Sequence, residues 1–242
     1  MLSRYFGTYY CYLVVVLLVG SSVSASDHPK VDQDIKVYKQ HVRSMDADFQ
    51  ISHPEQKNIE WVKKKIQHMV DIDQYMRKYW DTPFNHQYSD PEKAEFQTQF
   101  MVCSNELDSK NTNELKDLLK SYPWFTIGTF DIQTDRNAWL LVQHADQDIS
   151  FQKEVLKRLS SLYLKGETSP ANYAYLFDRI ASSPNNPKQR VLQRYGTQGS
   201  CVGPGRWEPF PVEDPVRLDD RRKQMGLESE AEYILRFKSI CH

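Results

Sequence analysis

In residues 58–80, NIEWVKKKIQHMVDIDQYMRKYW, the apolar side chains Ile59, Val62, Ile66, Met69, Met76 and Trp80 recur at helical spacing. That pattern commits the stretch to an amphipathic helix with one face buried. Asp73 and Arg77 fall on the same stripe, four residues apart. A charge taken into a core without a partner costs several kcal/mol, so these two must pair with each other or coordinate something else.

The same periodicity runs through most of the chain. Residues 26–55 are polar and weakly periodic and read as a poorly ordered N-terminal segment with room for one short helix, so the helical domain is expected over 58–242. Stretches 91–109 and 111–122 read as two helices or one bent helix, the latter part carrying Leu115, Leu118, Leu119 and Tyr122. Pro123 and Gly128 interrupt the pattern with a loop, and a further helix opens near Asp135. Asp148 and Ser150 offer caps for a helix with Phe151, Val155, Leu159 and Leu162 on its apolar face, and Gly166 ends it. Ser169 with Pro170 starts another. Between 183 and 216 Pro and Gly replace the helical period, which suits a short hairpin turning at Gly203, Pro204 and Gly205. Helix resumes near Asp219, and Ser229 with Glu232 forms a capping box for a final helix ending near Ile240. Without repeats or a recognisable linker, the expected architecture is mainly α: a single-domain bundle of six to eight helices with a small hairpin or ordered loop near the C-terminal part.

The N-terminus has one positive charge at Arg4, an apolar run over 13–19, and Val23 and Ala25 at the spacing of a signal-peptidase site. Residues 1–25 are therefore expected to be a signal peptide cleaved before Ser26, making the protein periplasmic or secreted, with membrane contact only during export. Hydrophobic residues at 40% and charged residues at 26% suit a globular chain. Lys and Arg number 31 against 32 Asp and Glu. This balance offers no electrostatic footprint for nucleic acid. Cys103, Cys201 and Cys241 lie beyond the signal, enough for one disulfide and one leftover thiol in an oxidising compartment, with the pairing open.

Five blocks together carry a resemblance: DQYMR at 73–77, AWLLVQHADQDISFQ at 138–152, YAYLFDR at 173–179, YGTQG at 195–199 and DDRRKQMGL at 219–227. In order and spacing they resemble a bacterial family without an assigned activity, domain of unknown function 6624, over roughly residues 60–235. The resemblance implies Asp73, Gln74, Arg77, His144, Asp146, Gln152, Asp178, Arg179, Tyr195, Gly196, Thr197, Gln198 and Arg222 as the family's polar positions. The chain departs from the family where Trp124, Phe125 and Thr126 replace a Trp-Pro-Thr run, and in a longer PKQRVLQR segment before Tyr195.

Chemistry has to come from the side chains themselves. On a continuing helix His144 stacks over Leu140 and Leu141, while Asp146 points about 200° away. A carboxylate partner for His144 is then expected from elsewhere, with Asp178 and Asp73 the leading candidates. A His paired with a carboxylate suits a general base and is also how a core histidine is satisfied. Arg77, Arg179 and Arg222 suit carboxylate or phosphate oxygens, unless neighbouring Asp residues engage them first. Tyr195, Thr197 and Gln198 either bind a polar ligand or tie their Gly-flanked turn to the helices. Nucleophile-elbow, P-loop, dinucleotide-binding and HExxH motifs are absent from the sequence. No cofactor or metal is expected, although His144, Asp178 and Asp73 could together assemble a metal site. Two functional readings follow. One is a hydrolase on a small anionic ligand, with His144, Asp178 and Asp73 catalytic and Arg77, Arg179, Arg222, Tyr195, Thr197 and Gln198 binding. The other is a noncatalytic binding or protein-interaction module in which these groups form a structural network.

Overall fold

The computed structural model describes residues 27–49, 57–183, 185 and 191–241. The expected signal peptide and its cleavage site lie outside them. The chain is mainly α, with helices α1 (Pro29–Phe49), α2 (Ile59–Tyr79), α3 (Thr82–Asn85), α4 (Asp90–Leu118), α5 (Ile132–Gln143), α6 (Ile149–Leu162), α7 (Pro170–Ala181), α8 (Leu218–Gln224) and α9 (Glu230–Leu235). A hairpin of β1 (Gly199–Gly203) and β2 (Arg206–Pro209) lies between α7 and α8. Among the described residues no helix is long and apolar enough to cross a membrane.

The described residues form two compact units, one up to Asn111 and one from Thr112. The sequence reads as one domain because the boundary falls inside α4, where a continuous helix leaves no linker signature. Of the two alternatives for 91–109 and 111–122, the single helix is the one present, α4 running through both stretches.

In the first unit, α1 overturns the expectation of a poorly ordered segment. Val31, Ile35 and Tyr38 are buried against Ile72 and Met76 of α2 and Phe96, Phe100, Cys103 and Leu107 of α4. The weak pattern of α1 suffices because aromatic rings fill the interface: Tyr38 meets Phe100 edge-on at 4.8 Å, and Phe96 and Phe100 stack at 5.0 Å. Helical stability here comes from tertiary packing rather than from local propensity.

In the second unit, α5, α6 and α7 pack on one another. Asp131 caps α5 by accepting the Thr134 N–H at 2.7 Å, and Asp148 caps α6 by accepting that of Phe151 at 2.9 Å. After α6 a 3₁₀ turn ends at Gly166, whose φ of 71° lies in the left-handed region. The hairpin pairs Gly199 with Pro209 and Cys201 with Trp207. Trp207 packs on Tyr233, Phe237 and Cys241, stacking with Phe237 at 4.4 Å, and the Cys201–Cys241 disulfide fastens the hairpin to the segment after α9. Cys103 is the leftover thiol and is buried.

Candidate functional site

Within the first unit, Asp73 is wholly buried on α2. Its carboxylate accepts from Gln74 Nε2 at 2.8 Å and from Arg77 Nη2 at 3.3 Å. The same Arg77 nitrogen donates to Asp108 Oδ1 on α4 at 2.5 Å. One guanidinium thus bridges two carboxylates, an ion-pair arrangement anticipated for Asp73 and Arg77. Asp108 was not anticipated, because it lies on a helix with little amphipathic contrast and outside the five quoted blocks.

Within the second unit, α5 stops at Gln143 and His144 is its C-cap, its backbone N–H bonded to the Leu141 carbonyl. This ending removes the geometry that a continuing helix would impose on Asp146. Arg179 of α7 clamps Asp146, Nε to Oδ1 at 2.9 Å and Nη2 to Oδ2, and its Nη1 donates to Gln198 Oε1 at 3.2 Å. Gln152 donates to Asp146 at 3.3 Å and to the Val142 carbonyl at 3.1 Å, so α6 supports the same turn. Burial pushes the Asp146 carboxyl up, but the Arg179 charge and hydrogen bonds, with a smaller pull from His144, hold it below the usual range. The partner that the geometry gives Asp146 is thus Arg179, with His144 acting on it only through its charge.

Asp178 is engaged elsewhere. It is wholly buried, and its two oxygens accept the backbone N–H groups of Arg194 at 2.8 Å, Tyr195 at 3.2 Å and Thr197 at 2.9 Å, and the Thr197 hydroxyl at 3.0 Å. Burial pushes this carboxyl up against the downward pull of those donors, and the net direction is up. The turn around it is locked from its other side. Gln193 donates to the Gln198 and Phe210 carbonyls at 2.9 and 2.8 Å and accepts the Gln198 N–H at 2.7 Å. Gly196 sits at φ 61°, a left-handed conformation that suits glycine.

Arg222 is also wholly buried, and it contacts carbonyls rather than carboxylates. Its Nη1 donates to the Tyr195 carbonyl at 2.6 Å and its Nε to that of Glu228 at 2.7 Å, with the guanidinium 4.8 Å from the Tyr233 ring. Tyr233 in turn donates its hydroxyl to the Thr197 carbonyl at 2.9 Å. Arg221 bonds the carbonyls of Arg194 at 2.7 Å and Asp214 at 3.0 Å. Among the anticipated residues, then, Asp178, Tyr195, Thr197 and Arg222 meet in one buried network. Arg179 and Gln198 join that network to Asp146 and His144.

Residues 61–240 match the Family of unknown function (DUF6624). The chain belongs to that family. No curated protein and no solved structure matches it. Family membership brings no activity with it, so the geometry has to carry the functional argument.

Proposed function

We propose that the chain is an exported, noncatalytic binding protein for a small ligand, in which the polar residues typical of its family hold helices and loops together. The observation that carries this reading is the engagement of Asp178. A carboxylate has about four lone-pair sites, and here they meet three backbone N–H groups and a hydroxyl. That leaves no oxygen to orient a histidine or take a proton from substrate. Arg222, directed at two carbonyls and a tyrosine ring, supports the same reading. Export is supported by the signal-like N-terminus and by the Cys201–Cys241 bond, since disulfides persist in oxidising compartments. The near-balanced charge favours a small ligand over nucleic acid.

A second reading, a hydrolase acting on an anionic substrate, draws on His144, Asp146 and Arg179. Asp146 and Arg179 keep part of their side chains in solvent, 36% and 21%. In that reading His144 is the acid/base, Asp146 orients it and Arg179 meets the anion. The Asp146 carboxylate already neutralises Arg179, which favours the binding reading.

The test has two arms. Asp178→Asn turns an amide donor toward N–H donors and should lose about 2–3 kcal/mol in urea unfolding; an unchanged stability would refute the structural role. The full chain and His144→Ala are then assayed with p-nitrophenyl phosphate and p-nitrophenyl acetate. Turnover by the wild type that disappears in a folded His144→Ala would replace the binding reading with the hydrolytic one.

A further inference from the structure

A cavity of about 300 Å³ opens in the second unit, between α5, the first turns of α7 and the end of α9. It shares Tyr233 with the network around Asp178. Its walls are largely aromatic: Trp139, Tyr175, Tyr233 and Phe237 line it. These rings brace one another, with Trp139 and Tyr175 at 5.7 Å and Tyr233 and Phe237 at 5.1 Å, so the surface they present is rigid.

Of the charged groups on the walls, Asp135 and Arg236 are engaged and Arg136 is not. The Asp135 carboxylate accepts from Trp124 Nε1 at 2.7 Å and from Asn172 Nδ2 at 2.9 Å. Arg236 is paired with Glu228. Arg136 lines the cavity and is half-buried, yet among the described residues its guanidinium makes no hydrogen bond or ion pair. Burial pushes its pKa down with no carboxylate to oppose it. A guanidinium desolvated beside an apolar cavity and lacking a partner is a receptor for an anion.

We propose that this cavity binds a small aromatic monocarboxylate, its carboxylate on Arg136 and its ring against Trp139, Tyr175, Tyr233 and Phe237. One unpaired cation matches one negative charge. A phosphate monoester carries nearly two at neutral pH and would bring an uncompensated charge into an aromatic enclosure. The volume lies at the small end of ligand pockets, which suits one or two fused rings. The inference deepens the binding reading by naming the site and ligand class. It can fail alone, because absence of binding here leaves the result of the His144 assay untouched.

The experiment is calorimetric titration of the full chain with naphthalene-2-carboxylate, naphthalene-2-carboxamide and inorganic phosphate, repeated on Arg136→Gln. The carboxylate should bind the wild type at least about tenfold more tightly than the carboxamide, and Arg136→Gln should lose most of that difference, as expected for a charge-assisted hydrogen bond. The carboxamide comparison uses wild type alone and so is independent of how the variant folds. Equal binding of carboxylate and carboxamide, unchanged carboxylate binding in Arg136→Gln, phosphate binding as tight as the carboxylate, or no binding at millimolar concentration would each overturn the proposal.

Discussion

A methyl group at position 199 would lie 2.2 Å from the Glu208 carbonyl oxygen and 2.8 Å from Pro209 Cα, both backbone atoms of the facing strand. Neither can move without breaking the hairpin. Gly199→Ala is expected to cost about 3 kcal/mol or more in urea unfolding, and a loss under 1 kcal/mol would show that the strand yields. Together with Gly196 in its left-handed turn and Thr197 on Asp178, this explains the YGTQG block residue by residue as a folding element. The carboxylates set the pH dependence. Asp135 is pushed up, chiefly by burial, so protonation favours the fold. Its contribution is fully present below the unfolded value of about 3.9 and is lost as pH rises through the raised folded value. Asp148, held low by its hydrogen bond to Lys116, and Asp146, where Arg179 outweighs burial, act in the opposite sense. Their contribution is present above about 3.9 and is lost as pH falls through the lowered folded values. Stability followed downward from neutral pH should therefore rise, then turn over below about pH 4; a decline that begins at neutral pH and never reverses would contradict this balance.

At the scale of elements, the caps carry more information than the apolar pattern. The sequence places the start of α5 near Asp135, yet the helix begins at Ile132 because Asp131 supplies the first side-chain acceptor. Asp131→Ala should lower stability by about 1 kcal/mol and fray the first turn, read as reduced amide-exchange protection at Asn137 and Ala138. Protection equal to wild type would mean that packing alone defines the start. The other end of α5 matters more for function. The helix ends at Gln143, and the turn that follows lets Asp146 reach Arg179 of α7. Helical periodicity carries no signal for this, because a chain can leave a helix at any polar residue whose carbonyls find other donors. The capping box at Ser229 and Glu232, by contrast, was legible in advance and is present. Its partners lie within three residues, where backbone geometry alone dictates the contact.

For the whole molecule, the Cys201–Cys241 bond closes a loop over a sequence separation of 40. Restricting the unfolded chain in this way is expected to add about 3–4 kcal/mol. Cys201→Ser, or the wild type under reductant, should show a fall of that order, and the exported protein should react with a thiol reagent only at Cys103 once unfolded. Labelling of Cys201 in the unreduced, unfolded protein would contradict both the bond and the export reading. Mainly helical architecture, most helix positions, the hairpin turn and family membership were determined by the sequence alone, because periodicity, caps and turn residues act over one to four residues. Tertiary structure decided the rest. It turned a weakly patterned N-terminal stretch into α1 by giving its aromatic side a core, and it paired Asp146 with Arg179 while Asp178 took up the turn at 194–197. It also gathered α5, α7 and α9 around a cavity in which Arg136 keeps its charge unmatched. Each of these depends on groups distant in sequence meeting in space, where desolvation makes an ordinary side chain bind, pair or titrate differently.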